Sequence, residues 1–258
     1  MSKNVLRITD QQKEQYREEG YCILENVVPE NDLKMLREKC SLFMYQMDTE
    51  MEQKGTDVLG ITHKGKRYFI GGKYKESEDL RRFLFRDYMA DICRATIGQD
   101  AYLFVEQYVV KAAEKGMKFG WHQDSGYVGH DHKPYLTCWC ALDDMTEANG
   151  TVFILPYSHA GTRQRVEHER EEGTNDKIGY HGDDPGIPVM ISAGSMAVFS
   201  STTFHRSGVN STDKMRRTYL AQYSAEPIMN QDGTKLWGNA VPFLKDGKRI
   251  DEFAANDI

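Results

Sequence analysis

From residue 101 to residue 226 the chain is written in short runs of β-branched and aromatic residues. They are "AYLFVEQYVVK", "KFGWHQD", "YLTCWCALDD", "GTVFILP", "VMISA", "SMAVFSS" and "RRTYLAQYSAE", parted by turn signals such as Asn149-Gly150 and Ser192-Ala-Gly194. Runs of this length between turn residues predict strands. No helical stretches separate them, so βαβ units are excluded and a sandwich or barrel is expected. The hydrophilic stretch 159–187 interrupts the strands and reads as an insertion or lid.

The first hundred residues have a different period. Thr9 with Gln12 predicts a capping box opening a short helix through Glu19, and "YCILENVV" reads as a strand. Leu33, Leu36, Cys40, Phe43, Met44, Met47 and Met51 then recur at helical spacing, which predicts a core-packing stripe. Residues 54–76 are rich in glycine and lysine and show no period, so a loop is expected there, with another helix over 77–97. No repeat and no linker appears. The expected organisation is one domain over 1–258: helical support to about residue 100, a β core over 101–226, and an extension over 227–258.

Composition narrows the function classes. Apolar residues make up 40% and aromatic residues 11%, enough for a packed core and against disorder. The net charge is −6 with no basic tract, which argues against nucleic acid or an anionic membrane as partner. Five cysteines without CxxC spacing fit a reducing compartment, and Cys138 and Cys140, two apart, should share one strand face as packing groups. There is no apolar signal core and no apolar run of membrane-spanning length, so a cytoplasmic protein is expected.

The chemistry concentrates in "GWHQDSGYVGHDH", 120–132. On a strand His122 and Asp124 would share a face and Gln123 would point away. Imidazole and carboxylate make two ligands of a divalent metal, and His205, placed just after a predicted strand, offers the third. Two histidines and one carboxylate on one face of a metal form the triad of non-haem Fe(II) oxygenases, which leaves positions open for co-substrate and oxygen. If a 2-oxo acid such as 2-oxoglutarate chelates two of those positions, its far carboxylate needs a buried bidentate partner, and arginine suits that better than lysine. Arg216 and Arg217 begin the last strand on opposite faces, so at most one of them looks inward.

His-Gln-Asp at 122–124, "CWCALDDMTEANGTVFILPYSH" at 138–159 and "HRSGVNSTDKMR" at 205–216 together resemble the phytanoyl-CoA dioxygenase family of Fe(II)/2-oxoglutarate oxygenases. The resemblance runs from "EEGYCILENVVPENDLKMLREK" through the strand at 216–226. It implies a double-stranded β-helix, a jelly-roll-like barrel buttressed by the N-terminal helices. It also implies iron ligands His122, Asp124 and His205, with Arg216 on the distal carboxylate of 2-oxoglutarate assisted by Ser207. Trp139 and Gln107 match positions lining the co-substrate pocket. Related halogenases carry a small residue in place of the carboxylate, so Asp124 implies hydroxylation of an unactivated carbon of a small molecule, or a related oxidation, with release of succinate and carbon dioxide. Fe(II), 2-oxoglutarate and oxygen are the implied cofactors, with ascorbate helpful in vitro. The family usually has glycine where this chain has Tyr157, which alters that corner. Human-type members carry a peroxisomal address, whereas this chain ends in Asn-Asp-Ile.

The remaining donors receive blander roles. His130 and His132 fall in a loop with no third ligand and are read as structural or substrate-facing, while His159, His168 and His181 are read as solvated. His63, Lys64, Lys66, Arg67 and Lys73 could meet an anionic substrate or decorate a loop. Residues 54–76 and 159–187 are both candidate lids. Two rival readings stay open: a cupin-like metal enzyme without 2-oxoglutarate, and a non-catalytic metabolite-binding barrel. Neither substrate identity nor oligomeric state is legible.

Overall fold

The computed structural model describes residue 6 and residues 8–250; the terminal Asn-Asp-Ile lies outside the described residues. Helix α1 (Asp10–Glu19) opens on the expected box: Thr9 accepts from the Gln12 amide and the Gln12 side chain accepts from the Thr9 amide. It stops at Gly20, whose φ of 80° suits glycine. A Cβ there would also lie 2.6 Å from the ring of Tyr157, so the tyrosine that replaces the usual turn glycine packs over this one. Strand β1 (Tyr21–Leu24) is half the length of the run that predicted it, because Asn26 turns the chain at φ 52°. Helix α2 (Glu30–Gln53) buries Leu33, Leu36, Cys40, Phe43 and Met51, with Met44 and Met47 partly covered, as the helical stripe requires.

Residues 54–76 depart from expectation. They form β2 (Val58–Leu59), β3 (Thr62–His63), β4 (Arg67–Gly71) and a 3₁₀ turn at Lys73–Lys75. Their order comes from pairing with a distant strand, which local periodicity does not record. The helix expected over 77–97 is two helices, α3 (Glu78–Leu84) and α4 (Asp87–Thr96). At the break Phe85 leaves the helical path to pack edge-on to Phe243, and Tyr223 donates to the freed carbonyl of Leu84.

The later strands are β5 (Ala101–Lys111), β6 (Phe119–His122), β7 (Leu136–Ala141) and β8 (Val152–Leu155). The insertion 159–187 holds the short pair β9 (Glu169–Arg170) and β10 (Lys177–Ile178) and leads into β11 (Ile187–Pro188). The run "VMISA" is therefore not a strand; its pairing falls two residues earlier. Then come β12 (Met196–Ser200), β13 (Phe204–Ser207), β14 (Arg216–Ser224), β15 (Val241–Lys245) and β16 (Lys248–Arg249). His205 sits inside a strand of its own, β13, and not after the preceding one.

The large sheet runs β1-β12-β7-β14-β5-β4-β3-β2, with β15 also on β5, and the small one β11-β8-β13-β6. All pairings are antiparallel. One face of the large sheet packs on the helices: Cys138, Cys140, Tyr219, Ala221 and Tyr223 join Leu36, Cys40, Phe83 and Met89 in the main core. Cys138 and Cys140 thus share a face, and burial pushes the Cys40 thiol up to about 12, which makes it a packing group. The opposite face meets the small sheet across a cavity, in the manner of a double-stranded β-helix.

Arg67 is not a surface cation. It is fully buried and pairs both oxygens of Asp176, in the insertion, at 2.7 Å, while donating to the carbonyls of Lys118 and Ile61. This one guanidinium ties β4, β6 and the insertion together. Of its presumed partners, Lys64 pairs with Glu52 and Lys73 with Glu76, so the basic cluster dissolves. No helix among the described residues is long and apolar enough to cross a membrane. Asp176→Ala leaves Arg67 buried without its anion and should cost about 3–5 kcal/mol, read as a lower urea midpoint; a loss within error would remove the pair from the account of stability.

Candidate metal centre

Strand pairing makes the site. In the small sheet His122 of β6 stands directly opposite His205 of β13, and the two rings lie 4.2 Å apart. Each Nδ1 faces a carbonyl, that of Gly120 at 2.8 Å and that of Thr203 at 3.1 Å. A carbonyl only accepts, so each Nδ1 carries the proton and each Nε2 presents its lone pair inward. Burial, and then the neighbouring His205, hold the His122 imidazole well below its usual range. The His122 ring is thereby prepared as a neutral ligand, and the carbonyl contacts turn the Nε2 of both rings toward the same point.

Asp124 arrives by a route the strand pattern does not describe. Strand β6 ends at His122, and Asp124 has helical dihedrals where it caps a short helix, α5 (Ser125–Val128). A turn, not strand alternation, brings the carboxylate beside the rings. Gln123 does point away, and its side chain donates to the carbonyls of Gln164 and Thr202 and accepts from the Val166 amide, which anchors the insertion. The Asp124 Oδ2 accepts from Thr137 Oγ1 at 2.7 Å and from Gln222 Nε2 at 2.9 Å. Its Oδ1 stays 3.6 Å from His205 Nε2 and 4.0 Å from His122 Nε2. One donor atom from each of the three lies within 4.8 Å of the other two, so a single divalent cation fits with small side-chain shifts.

A cavity of about 220 Å³ opens from this cluster, lined from both sheets. Alternation along β5 turns Gln107, Val109 and Lys111 into it, and alternation along β14 turns in Arg216, Leu220 and Gln222. Arg217 points away and pairs with Asp143 at 2.6 Å. Trp139 and Ser207 line the cavity as well. The register sets its length: Gln222 holds Asp124 at the end with the three donors, and Arg216 lies six residues along the same strand.

Arg216 is 1% exposed, donates to the carbonyl of Gly150, and has its guanidinium 5.7 Å from the Trp139 ring centre. Its Nε is buried without a hydrogen-bond partner. Burial lowers its pKa to about 10, so it remains a cation at neutral pH. A buried cation with an unspent donor facing a cavity is costly unless an anion completes it. Gly150 is needed here, with φ 74° and the carbonyl of Gly208 only 2.6 Å from where a Cβ would sit.

Three participants were not foreseen. Lys111, 1% exposed, stands beside Arg216 in the strand register and donates to the carbonyl of Gly208; alternation from Gln107 would have pointed it inward. Thr137 and Gln222 also escaped notice, because only the pairing of β7 with β14 brings them to Asp124. The other histidines divide. His130 meets the Met229 carbonyl and His132 meets Ser125, both as loop contacts. His159 and His181 are exposed, whereas His168 is half-buried, stacks on Phe204 and accepts from the Gln123 amide.

The sequence model described as phytanoyl-CoA dioxygenase (PhyH) matches residues 16–218. The chain belongs to the phytanoyl-CoA dioxygenase family. A probable phytanoyl-CoA dioxygenase of Caenorhabditis elegans is 23% identical over 249 residues, covering 88% of this chain and 80% of that relative. A methylphosphonate hydroxylase of Gimesia maris is 25% identical, covering 84% and 81%. Among solved structures, the fold is similar to that of the α-ketoglutarate-dependent carbocyclase SnoK from nogalamycin biosynthesis, with a TM-score of 0.70, 18% identity and coverage of 93% and 95%. EctD from S. alaskensis, solved with 2-oxoglutarate and 5-hydroxyectoine, gives 0.69 at 18% identity, covering 93% of this chain and 86% of that one. As a member of the phytanoyl-CoA dioxygenase family the protein is a non-haem Fe(II)/2-oxoglutarate-dependent oxygenase, which sets aside the cupin-like and non-catalytic readings.

Asp124→Ala should abolish stoichiometric Mn(II) binding by calorimetry. Thr137→Val with Gln222→Leu, which keeps all three donors, should weaken it about 10–100-fold. Unchanged affinity in the double variant would show that Asp124 needs no orienting partners.

Proposed function

We propose that the protein hydroxylates an unactivated carbon of a small molecule, with His122, Asp124 and His205 as the iron ligands and Arg216 as the anchor of 2-oxoglutarate. The observation that carries the reading is the pairing of two groups in one cavity: a cluster of three converging donors, and a buried guanidinium with an unspent Nε. When bound, the iron and its co-substrate supply an oxidation in which 2-oxoglutarate and oxygen yield succinate, carbon dioxide and a hydroxylated product.

The chain's own residues hold and orient. The Gly120 and Thr203 carbonyls fix the tautomers of the two imidazoles. Thr137 and Gln222 occupy one oxygen of Asp124 and so leave the other to the metal. Arg216 and Lys111 give the far carboxylate a charge-assisted pair of donors, and Gln107, Trp139 and Ser207 wall the space between. Burial pushes the Lys111 ammonium well below its ordinary range, with Arg216 adding to the effect. An incoming dianion reverses that shift, since the charged form gains a partner. The insertion, tied down through Gln123 and Arg67, excludes water from the side of the small sheet. A carboxylate at position 124 occupies the place where a halide would bind, which favours hydroxyl transfer.

Mixing Fe(II), 2-oxoglutarate and protein without oxygen should produce a weak visible charge-transfer band; its absence contradicts the chelate. Arg216→Ala should weaken 2-oxoglutarate about thirtyfold or more, read by titrating that band. Lys111 adds a pH signature. Its pKa is depressed in the free protein and rises on binding, so a proton is taken up and affinity falls as pH climbs through the interval between the two values. Dissociation constants from about pH 6 to about pH 9 should show that fall, and Lys111→Met should flatten it.

A further inference from the structure

The cavity also constrains what is oxidised. Among the described residues that line it, five carry a formal charge: Arg67, Lys111, Asp124, Arg206 and Arg216. Arg67 is spent on Asp176 through two bonds. Arg206 borders the cavity, but its guanidinium is held away from the metal end, 4.0 Å from the Phe153 ring centre and 5.2 Å from that of Trp121, and donates to the Pro185 carbonyl. Asp124 serves the metal, and Arg216 with Lys111 serve the co-substrate. At the metal end, no formal charge among these residues is left for a second ligand.

What remains around the metal end is apolar and aromatic. Val105 and Tyr135 stand on one side, with Phe69, Phe119 and Tyr127 on the other. Trp237 lines the same cavity yet is 41% exposed, its ring centre 5.7 Å from that of Phe104 in a tilted contact, and Phe104 itself packs on Tyr135. Beside it Leu236 is 48% exposed and pairs across a bridge with Met229, 36% exposed. The apolar lining thus reaches the surface at Trp237, in a segment that neither candidate lid had included. At about 220 Å³ the interior is smaller than the ~300 Å³ at which drug-sized ligand pockets begin, and the co-substrate takes part of it. Only one end of a second molecule fits inside.

We infer that the substrate is electrically neutral and apolar at its reacting end, with an apolar body that leaves the cavity against Trp237. The inference rests on the proposed seat of 2-oxoglutarate at Arg216 and Lys111. An ionised group brought to this metal end would be desolvated among rings with no counter-charge, which is heavily unfavourable. A phosphonate, carboxylate or ammonium at the reacting carbon is excluded on that ground, while an alcohol, terpenoid or aromatic ring is admitted.

The test uses the full chain loaded with Mn(II) and 2-oxoglutarate, which binds without turning over. Tryptophan fluorescence is titrated with geraniol, geranic acid, geranyl phosphate and geranylamine, with 2-naphthylmethanol and 2-naphthoate as a ring pair, and with methylphosphonate. The neutral member of each set should bind at least about tenfold tighter than its ionised partners. Trp237→Ala should lose about tenfold for the neutral members and Trp237→Phe less than about threefold. Calorimetry of 2-oxoglutarate on each variant distinguishes loss of the ring from collapse of the cavity. If 2-oxoglutarate binds but the ionised members bind as well as the neutral ones, or no neutral member binds, this inference fails and the co-substrate reading stands. If 2-oxoglutarate itself does not bind, both fail.

Discussion

The pairing of β6 with β13 is the constraint on which the rest depends. It sets His122 against His205, and the local carbonyls then leave each ring one inward lone pair. Two imidazoles held 4.2 Å apart with converging Nε2 atoms and a carboxylate beside them match part of the coordination sphere of a cation. Everything else in the small sheet serves that register, with β8 flanking β13 and the insertion roofing β6 through Gln123.

The large sheet supplies the complementary half. One face is sealed by helices, so its inward residues are free to be polar without exposing the core. Along β14 the same alternation that buries Tyr219 and Tyr223 among the helices turns Arg216 and Gln222 to the cavity. One strand therefore holds both the buried Arg216 guanidinium and the Gln222 amide that orients the Asp124 carboxylate. Their spacing is that of a rigid ladder, which is how a chain can hold a small chelating acid at a fixed distance from an ion.

What the sequence made legible follows the range of the interactions. The capping box at Thr9, the stripe on α2 and the inward face of β14 are local patterns and were readable, and the three donors and Arg216 singled out in the sequence do lie around one cavity. Asp124 was reached for a partly wrong reason, since the strand stops two residues before it and a turn completes the placement. Arg67 was misread because its meaning lies in Asp176, 109 residues away, and in a strand that orders only by pairing with β5. Thr137, Gln222 and Lys111 depend likewise on register between distant strands. The break between α3 and α4 depends on Phe243, far along the chain.

The central claim is that one cavity joins a metal cluster to a seat for 2-oxoglutarate. Its most direct test is release of labelled carbon dioxide from the first carbon of 2-oxoglutarate by aerobic protein given Fe(II) and ascorbate, without any added substrate. The account predicts slow release, matched by succinate, and none from Asp124→Ala. Release that is absent from the unaltered protein, or that persists undiminished in the variant, would contradict it.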